Sequence, residues 1–302
     1  MEDRRQSVQN AISGVLVVDK PVGMTSHQVV QVIRNGTRIK RAGHTGTLDP
    51  RASGVLVVLI GPAVRLSEYI SAEDKRYQAT IKLGESTDTY DGDGTVTGNA
   101  EVSVTKEQFE EALSHFVGEI EQVPPPYSAI KVQGRHAYDM ARNGEEVELE
   151  PRLINVYSLE VIEWNLPEVV VDVHCSSGTY VRSLAHDLGN MLGCGANLTG
   201  LRRTKSGRFT LRDAVSLRKL AETFDSNAWY QYLIPAAEAL SEWPSLTLTN
   251  EQVDAVRHGH RIPAEGKEGQ LVRAITDQGE LVALMEYDTA SGEFQPRKVF
   301  FN

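Results

Sequence analysis

Gly43-His44-Thr45-Gly46-Thr47-Leu48-Asp49-Pro50, followed by the apolar run Gly54-Val55-Leu56-Val57-Val58-Leu59-Ile60-Gly61, is the stretch on which the reading of this chain turns. The apolar run has the length and composition of a buried strand. Before it, Gly14-Val15-Leu16-Val17-Val18-Asp19-Lys20 reads as a second short buried strand, stopped by Pro21. Thr25-Ser26 then offers an N-cap for a helix carrying Val29, Val30, Val32 and Ile33 and closing near Asn35-Gly36. The glycine-rich stretch up to Pro50 reads as a loop held between core elements, the place where a rigid scaffold can present a reactive group. An aspartate before proline in such a loop is by itself ordinary turn chemistry. Glycines at 43 and 46 add room for close approach of a ligand to the backbone, and His44 and Thr45 add side chains that stack or hydrogen-bond.

The bulk composition narrows the function classes. With 302 residues, 40% hydrophobic and 24% charged, the chain has the make-up of a globular protein of about two domains. No apolar run is long enough to span a bilayer, and the polar start Met1 to Asn10 reads as a tail and not a secretory signal. Cys175 and Cys194 form neither a disulfide framework nor a zinc site, since His174 and Cys175 would point to opposite faces of a strand. A reducing cytoplasm is the expected setting. The net charge of −10 runs against a nucleic-acid partner, yet its distribution is uneven. Arg34, Arg38, Lys40 and Arg41 fall in one acid-free run, and Arg202, Arg203, Lys205, Arg208 and Arg212 in another. Two such runs point to local anion-binding surfaces, although each alone reads as a solvated face. Asp88, Asp91 and Asp93 lie close together, but their spacing misses a calcium loop and fits a hairpin turn better.

Further elements follow from periodicity. Tyr77 to Leu83 alternates as a strand does, and Thr105 caps a helix carrying Phe109, Leu113 and Phe116. Pro124-Pro125-Pro126 opens an irregular, protruding segment over about 124–152 with a helical turn or two. Strands are predicted around Ile154–Ile162 and Glu168–Cys175, then a helix from Val181 to Leu192. The pattern implies an α+β fold with a mixed, mainly antiparallel sheet flanked by helices, over 1–245. Beyond Trp243-Pro244, one short helix at Glu251–His258 and strands at Leu271–Ile275, Leu281–Tyr287 and Lys298–Phe301 predict a small β-rich module over 246–302.

Several long segments, in order, resemble the TruB family of bacterial tRNA pseudouridine-55 synthases. They are Gly14 to Ser26, with its Lys20-Pro21-Val22-Gly23; Gly43 to Pro50; Lys75-Arg76-Tyr77; Pro125 to Lys131; Ser176 to Gly189; and Leu198 to Phe209. The C-terminal module resembles, more weakly, the PUA-type RNA-binding domain, through its strand pattern and the closing Pro296-Arg297-Lys298-Val299-Phe300. The resemblance implies a pseudouridine synthase fold with a PUA-like barrel, a mobile thumb over 124–152, and isomerisation of uridine-55 in the tRNA T-loop without metal or cofactor. It implies that Asp49 is catalytic, as nucleophile or as base at the ribose, with Arg182 as its cationic partner. Tyr77 and Tyr180 would flank a flipped base, Tyr77 also being placed to take the C5 proton. Leu201 would wall the pocket, and His44 would fill the gap the base leaves. An extruded base needs such stacking surfaces, each worth about 1–3 kcal/mol. Lys40, Arg41, Lys131, Arg202, Arg203 and Lys205 are the expected contacts to RNA phosphates, and Lys20 is expected to support the Asp49 loop. The expected partner is the T-arm of tRNA, with the chain acting as a monomer and needing no protein partner. A tRNA-folding chaperone is the competing reading; it has no need of a carboxylate in a pocket.

Overall fold

The computed structural model describes residues 12–300 other than Ala129, Gln133 and Glu146, so Met1–Asn10 lies outside the described residues. Strand β1 (Gly14–Lys20) is buried almost throughout. Helix α1 (Ser26–Thr37) opens on a capping box, in which Thr25 Oγ1 accepts from Gln28 N (3.1 Å) and Gln28 Oε1 accepts from Thr25 N (2.7 Å). It ends one residue past the predicted Gly36, at a left-handed Arg38. The glycine-rich stretch is not all loop: Ala42–His44 forms a short strand, β2, antiparallel to β3 (Ser53–Ile60). Helix α2 (Ser67–Ala72) leads to β4 (Lys75–Leu83), whose alternate residues are buried. Then come β5 (Glu85–Thr87), β6 (Val96–Asn99), α3 (Lys106–Ser114) and β7 (Gly118–Gln122). The proline-led segment holds β8 (Lys131–Val132), β9 (Arg135–His136) and one short helix, α4 (Ala137–Arg142). The long hairpin β10 (Arg152–Asn165) and β11 (Glu168–Cys175) precedes α5 (Val181–Met191) and β12 (Ala196–Ser206). The remaining elements are β13 (Phe209–Thr210), β14 (Val215–Ser216), α6 (Leu217–Ala221), β15 (Ile234–Pro235), α7 (Ala236–Ala239), β16 (Ser245–Thr247), α8 (Asn250–Arg257), β17 (Ile262–Pro263), β18 (Leu271–Ile275), β19 (Leu281–Asp288) and β20 (Glu293–Val299).

The chain divides into two compact units. The first comprises the chain up to Pro50, Leu56–Ser71 and everything from Arg212; the second comprises Arg51–Val55 and Ala72–Leu211. In the first unit the strand order is β14-β1-β3, with β2 on β3 and β15 on β1. Its core packs Leu16, Val18, Val29, Val30, Ile33, Leu56, Val58 and Trp229 together. This is the apolar stripe of α1 laid on the strands, the usual way for such a helix to bury its face. The C-terminal residues of this unit build a separate five-stranded sheet, β16-β18-β19-β20-β17, around Val253, Val256, Val272, Ala283, Met285 and Phe294. The last strand runs from Glu293 to Val299, earlier than the predicted Lys298–Phe301, because its pairing with β19 begins just after the turn at Ser291-Gly292. Phe301 lies outside the described residues.

In the second unit the order is β12-β4-β11-β10-β7, antiparallel throughout, while Ser53 and Gly54 of β3 pair β12 in parallel. The fold is thus α+β with a mixed, mainly antiparallel sheet, as the sequence implies. Periodicity did not reveal β12. Its Leu198-Thr199-Gly200-Leu201-Arg202-Arg203-Thr204-Lys205 reads as a polar basic run, yet it pairs β4 over most of its length. Helix α5 packs Val181, Leu184 and Leu188 against Ile81, Val171 and Val173 of that sheet.

Candidate active site

The Asp49 loop belongs to the first unit and is tied down on both sides of the aspartate. Before it, Ser26 Oγ accepts from Leu48 N (2.8 Å) and donates to Leu48 O (3.1 Å). After it, Pro50 O accepts from Gly23 N (2.7 Å) and from Lys20 Nζ (3.3 Å). Thr45 N donates to Val57 O (3.1 Å), anchoring the start of the loop to β3. Lys20 is 0% exposed and also donates to Pro21 O (2.9 Å), so an ammonium is buried to hold two carbonyls of this loop and its neighbour. Charge-assisted bonds of this kind are stronger than neutral ones. The predicted support role of Lys20 thus has a geometry, and Ser26 and Gly23 join it; the Lys-Pro-x-Gly and Thr-Ser spacing was the available signal for them. Asp49 itself is half-buried on backbone held at both its neighbours. His44 lies in β2, partly buried, opposite Val58. Lys40 and Arg41 are exposed just before β2.

The other predicted residues lie in the second unit. Tyr77, 9% exposed, faces Val173 on one side and Arg203 on the other, and Leu201 pairs with Ala79. Directly paired and alternate residues share a face, so Tyr77, Leu201 and Arg203 are on one side of the sheet, the side covered by α5. Tyr180 is the N-cap of that helix and makes no side-chain cap of its own. Gln122 holds its backbone instead: Gln122 Oε1 accepts from Tyr180 N (2.8 Å) and Nε2 donates to Tyr180 O (3.0 Å). No motif pointed to Gln122.

Arg182, 8% exposed, is gripped from three directions within this unit. Its Nη1 donates to Thr89 O (3.2 Å), its Nη2 donates to Tyr127 O (3.0 Å), and Asp91 Oδ2 stands 3.5 Å from Nη1. The sequence alone places Asp91 only in a turn. It is in a turn, and it also balances Arg182. The carboxylates of the Asp88–Gly94 loop have partners within the protein: Asp88 Oδ1 accepts from Thr95 N (2.7 Å), Asp91 Oδ1 accepts from Thr89 Oγ1 (2.6 Å), and the exposed Asp93 pairs with Arg51 at the surface. The segment is the connection of the β5–β6 hairpin, as its spacing predicts. Among the described residues no cluster of three or more His, Cys, Asp or Glu is placed to hold a metal ion.

The second basic run splits by strand alternation. Arg203 is 2% exposed and its Nε donates to Val55 O (2.7 Å), so its guanidinium is turned into the protein. A strand's period of two sends Arg203 inward while Arg202 stays half-exposed, its Nη1 3.4 Å from Ser53 Oγ. Lys205 Nζ donates to Asp74 Oδ2 (3.4 Å), an oxygen shared with His174. Burial works to raise the Asp74 carboxyl, but His174 and Lys205 outweigh it and hold its pKa low. The backbone of Lys131 lies in β8; its side chain is outside what the structure describes.

Lys75, paired with Cys175 on the inward face, is also buried, and its Nζ donates to Glu73 O. Burial first, and the Arg203 charge second, lower its pKa from 10.5 to about 8. Between those values the unfolded chain holds this proton and the folded chain does not, so stability from this group rises with pH across the window. Below about pH 8 the folded state carries the full cost of the buried charge. Any stability advantage of Lys75→Met over the parent is therefore expected to shrink, on the order of 2 kcal/mol, between pH 7 and 10. Urea midpoints at the two pH values check this; a difference that does not move with pH contradicts it.

The architecture is that of a pseudouridylate synthase. In solved structures, an H/ACA ribonucleoprotein bound to a substrate RNA containing 2'-deoxyuridine has a chain that superposes with a TM-score of 0.75 at 28% identity, covering 99% of this chain and 87% of that one. A chain of an archaeal box H/ACA Nop10–Cbf5 complex gives 0.71 at 27% identity, covering 98% and 88%. Residues 34–181 match the N-terminal domain of the TruB family pseudouridylate synthases, and 182–241 match the tRNA pseudouridylate synthase B C-terminal domain. The tRNA pseudouridine synthase B of Thiobacillus denitrificans is 43% identical over 291 residues, 96% of this chain and 97% of the relative. That of Symbiobacterium thermophilum is 45% identical over 263 residues, 86% of each. This chain belongs to the TruB family of pseudouridylate synthases.

Proposed function

We propose that this protein isomerises uridine-55 in the T-loop of tRNA to pseudouridine, acting as a monomer in the cytoplasm on the T-arm. The observation that carries the reading is the Asp49 loop, whose backbone is pinned at Leu48 and Pro50 by Ser26, Gly23 and Lys20. A carboxylate on so fixed a backbone is pre-organised for one reacting position, which is where rate enhancement is gained. In the reaction the N1–C1′ bond breaks, the freed base turns, C5 bonds to C1′, and the C5 proton leaves as N1 regains one. Asp49 acts at the ribose–base junction. Tyr77 and Tyr180 stack on the flipped base, Leu201 walls it, and His44 takes the place it vacates in the RNA. Tyr77, already held in the sheet, receives the C5 proton on its oxygen as its own hydroxyl proton passes to solvent. Arg182 brings the positive charge that keeps a carboxylate ionised away from bulk water.

The segment 124–152 serves as the thumb that closes on RNA, and 246–302 as the PUA-like module that positions it. Lys40, Arg41, Arg202 and Lys205 meet phosphates; Lys131 joins them from the thumb. Arg203 is withdrawn from that set. Among the described residues no helix is long and apolar enough to cross a membrane.

The test is incubation of the purified protein with unmodified tRNA, followed by pseudouridine mapping. Modification at position 55 is expected; modification elsewhere, or none, overturns the reading. The same preparations give a second result. Binding is expected to weaken steeply with salt despite the acidic composition, and Arg202→Ala to reduce the salt slope by about one, the amount for one phosphate contact. A flat salt response would show that the basic groups do not touch phosphate.

A further inference from the structure

Arg182 and His186 are four residues apart on α5 and therefore share one face, a turn apart. The loop over 88–94 meets that face with three consecutive residues. Thr89 offers its carbonyl to Arg182 (3.2 Å), Asp91 its carboxylate (3.5 Å), and between them the ring of Tyr90 lies flat on His186, with centroids 3.7 Å apart and planes 13° from parallel. Tyr90 has φ +64°, a left-handed conformation that a bulky residue adopts only when its surroundings enforce it. Its N–H reaches Thr87 O (3.3 Å) and its carbonyl accepts from Leu198 N (3.0 Å), while Gly92 N donates to Leu198 O (3.1 Å). His186 Nδ1 is buried and makes no hydrogen bond among the described residues, and Nε2 lies 3.0 Å from Asn190 Nδ2. Burial lowers the His186 pKa, which favours the neutral ring and keeps a second cation away from Arg182.

We propose that the Tyr90–His186 stack is a positioning device for Arg182. Both acceptors that this loop presents to the guanidinium are immediate neighbours of Tyr90, so the ring that fixes Tyr90 fixes them together. Hydrogen bonds within the turn, such as Thr87 Oγ1 to Asp91 O (2.7 Å) and Thr89 Oγ1 to Asp91 Oδ1 (2.6 Å), fix its internal shape, and the Tyr90 ring is what ties that shape to the Arg182 face of α5. Tyr90 and His186 do not touch substrate in this scheme; they act through Asp91, Thr89 and Arg182. The inference rests on the proposed role of Arg182 for its effect on rate, but not for its effect on Arg182 itself.

Tyr90→Gly removes the ring and relaxes the backbone, so the fold is expected to survive, as a cooperative urea transition will show. At saturating tRNA its single-turnover rate is expected to fall about 10-fold with Kd within about 2-fold, and His186→Ala to do the same. Tyr90→Phe and His186→Phe, which keep a stack, are expected to retain the rate within about 3-fold. The double variant Tyr90→Gly/His186→Ala is expected to be no slower than either single one, as for two halves of one contact. Independently of chemistry, the 15N relaxation of Arg182 Nε is expected to report greater mobility in Tyr90→Gly and His186→Ala. If neither rate nor Arg182 mobility changes in these variants, the proposal is overturned. If the parent protein makes no pseudouridine, the functional reading fails, and Arg182 mobility alone decides this inference.

Discussion

Asp49→Asn is expected to abolish pseudouridine formation while leaving tRNA binding within about three-fold. The substitution keeps the shape and size of the side chain and removes its charge and its nucleophilic or basic oxygen. The loop is held through its backbone: Ser26 binds the backbone of Leu48, and Gly23 and Lys20 bind the carbonyl of Pro50. The loop should therefore keep its form and the RNA its docking site. Losing a group that enters the chemical step costs at least about 10⁴-fold in comparable enzymes, far beyond the effect of a lost binding contact. The measurement is single-turnover pseudouridine mapping with enzyme in excess, alongside filter-binding of the same tRNA. Product at parental levels would remove Asp49 from the chemistry. A loss of binding as large as the loss of rate would make it a docking residue instead.

Gly54→Ala is expected to destabilise the second unit strongly. Gly54 has φ +98°, and a Cβ there would lie 2.2 Å from the Arg203 carbonyl oxygen. That contact is to backbone, which cannot rotate aside as a side chain would. Relief requires parting β3 from β12 at the Ser53↔Arg202 and Gly54↔Arg203 pairs. The same movement would disturb the bond from Arg203 Nε to Val55 O, and a buried guanidinium deprived of an acceptor is costly. Backbone strain and the disturbed pairing together suggest a loss on the order of 3 kcal/mol or more. Thermal and urea denaturation check it; a loss under about 1 kcal/mol would mean that the strand junction can give way freely.

Patterns of residue type with a local physical meaning made much of this molecule legible. β1 and β3 could be read from short apolar runs, α1 from Thr25 and the valines on one stripe, and β11 from Glu168–Cys175. The candidate site was legible because its motifs are long and arrive in order, so Asp49, Tyr77, Tyr180, Arg182 and Leu201 could be nominated together. β12 could not be read this way. Polar residues occupy its buried positions as well, Asn197, Arg203 and Ser206 among them, so no apolar alternation marks it, and its place in the sheet comes from β4 on one side and β3 on the other.

The local order of the chain was enough to nominate the Asp49 loop, mark α1 and place this protein among pseudouridylate synthases, because capping, apolar periodicity and motif order act over a few residues. Whether a charge faces water or the interior is not a local property. Arg202 and Arg203 are neighbours of identical type, and only pairing with β4 and β3 decides that one reaches solvent and the other is enclosed with Val55. Likewise Asp91 stands some 90 residues before Arg182, and nothing in either segment reveals their meeting at 3.5 Å. Folding supplies that meeting, because burying a guanidinium is favourable only where the whole sheet and helix arrangement delivers acceptors to it.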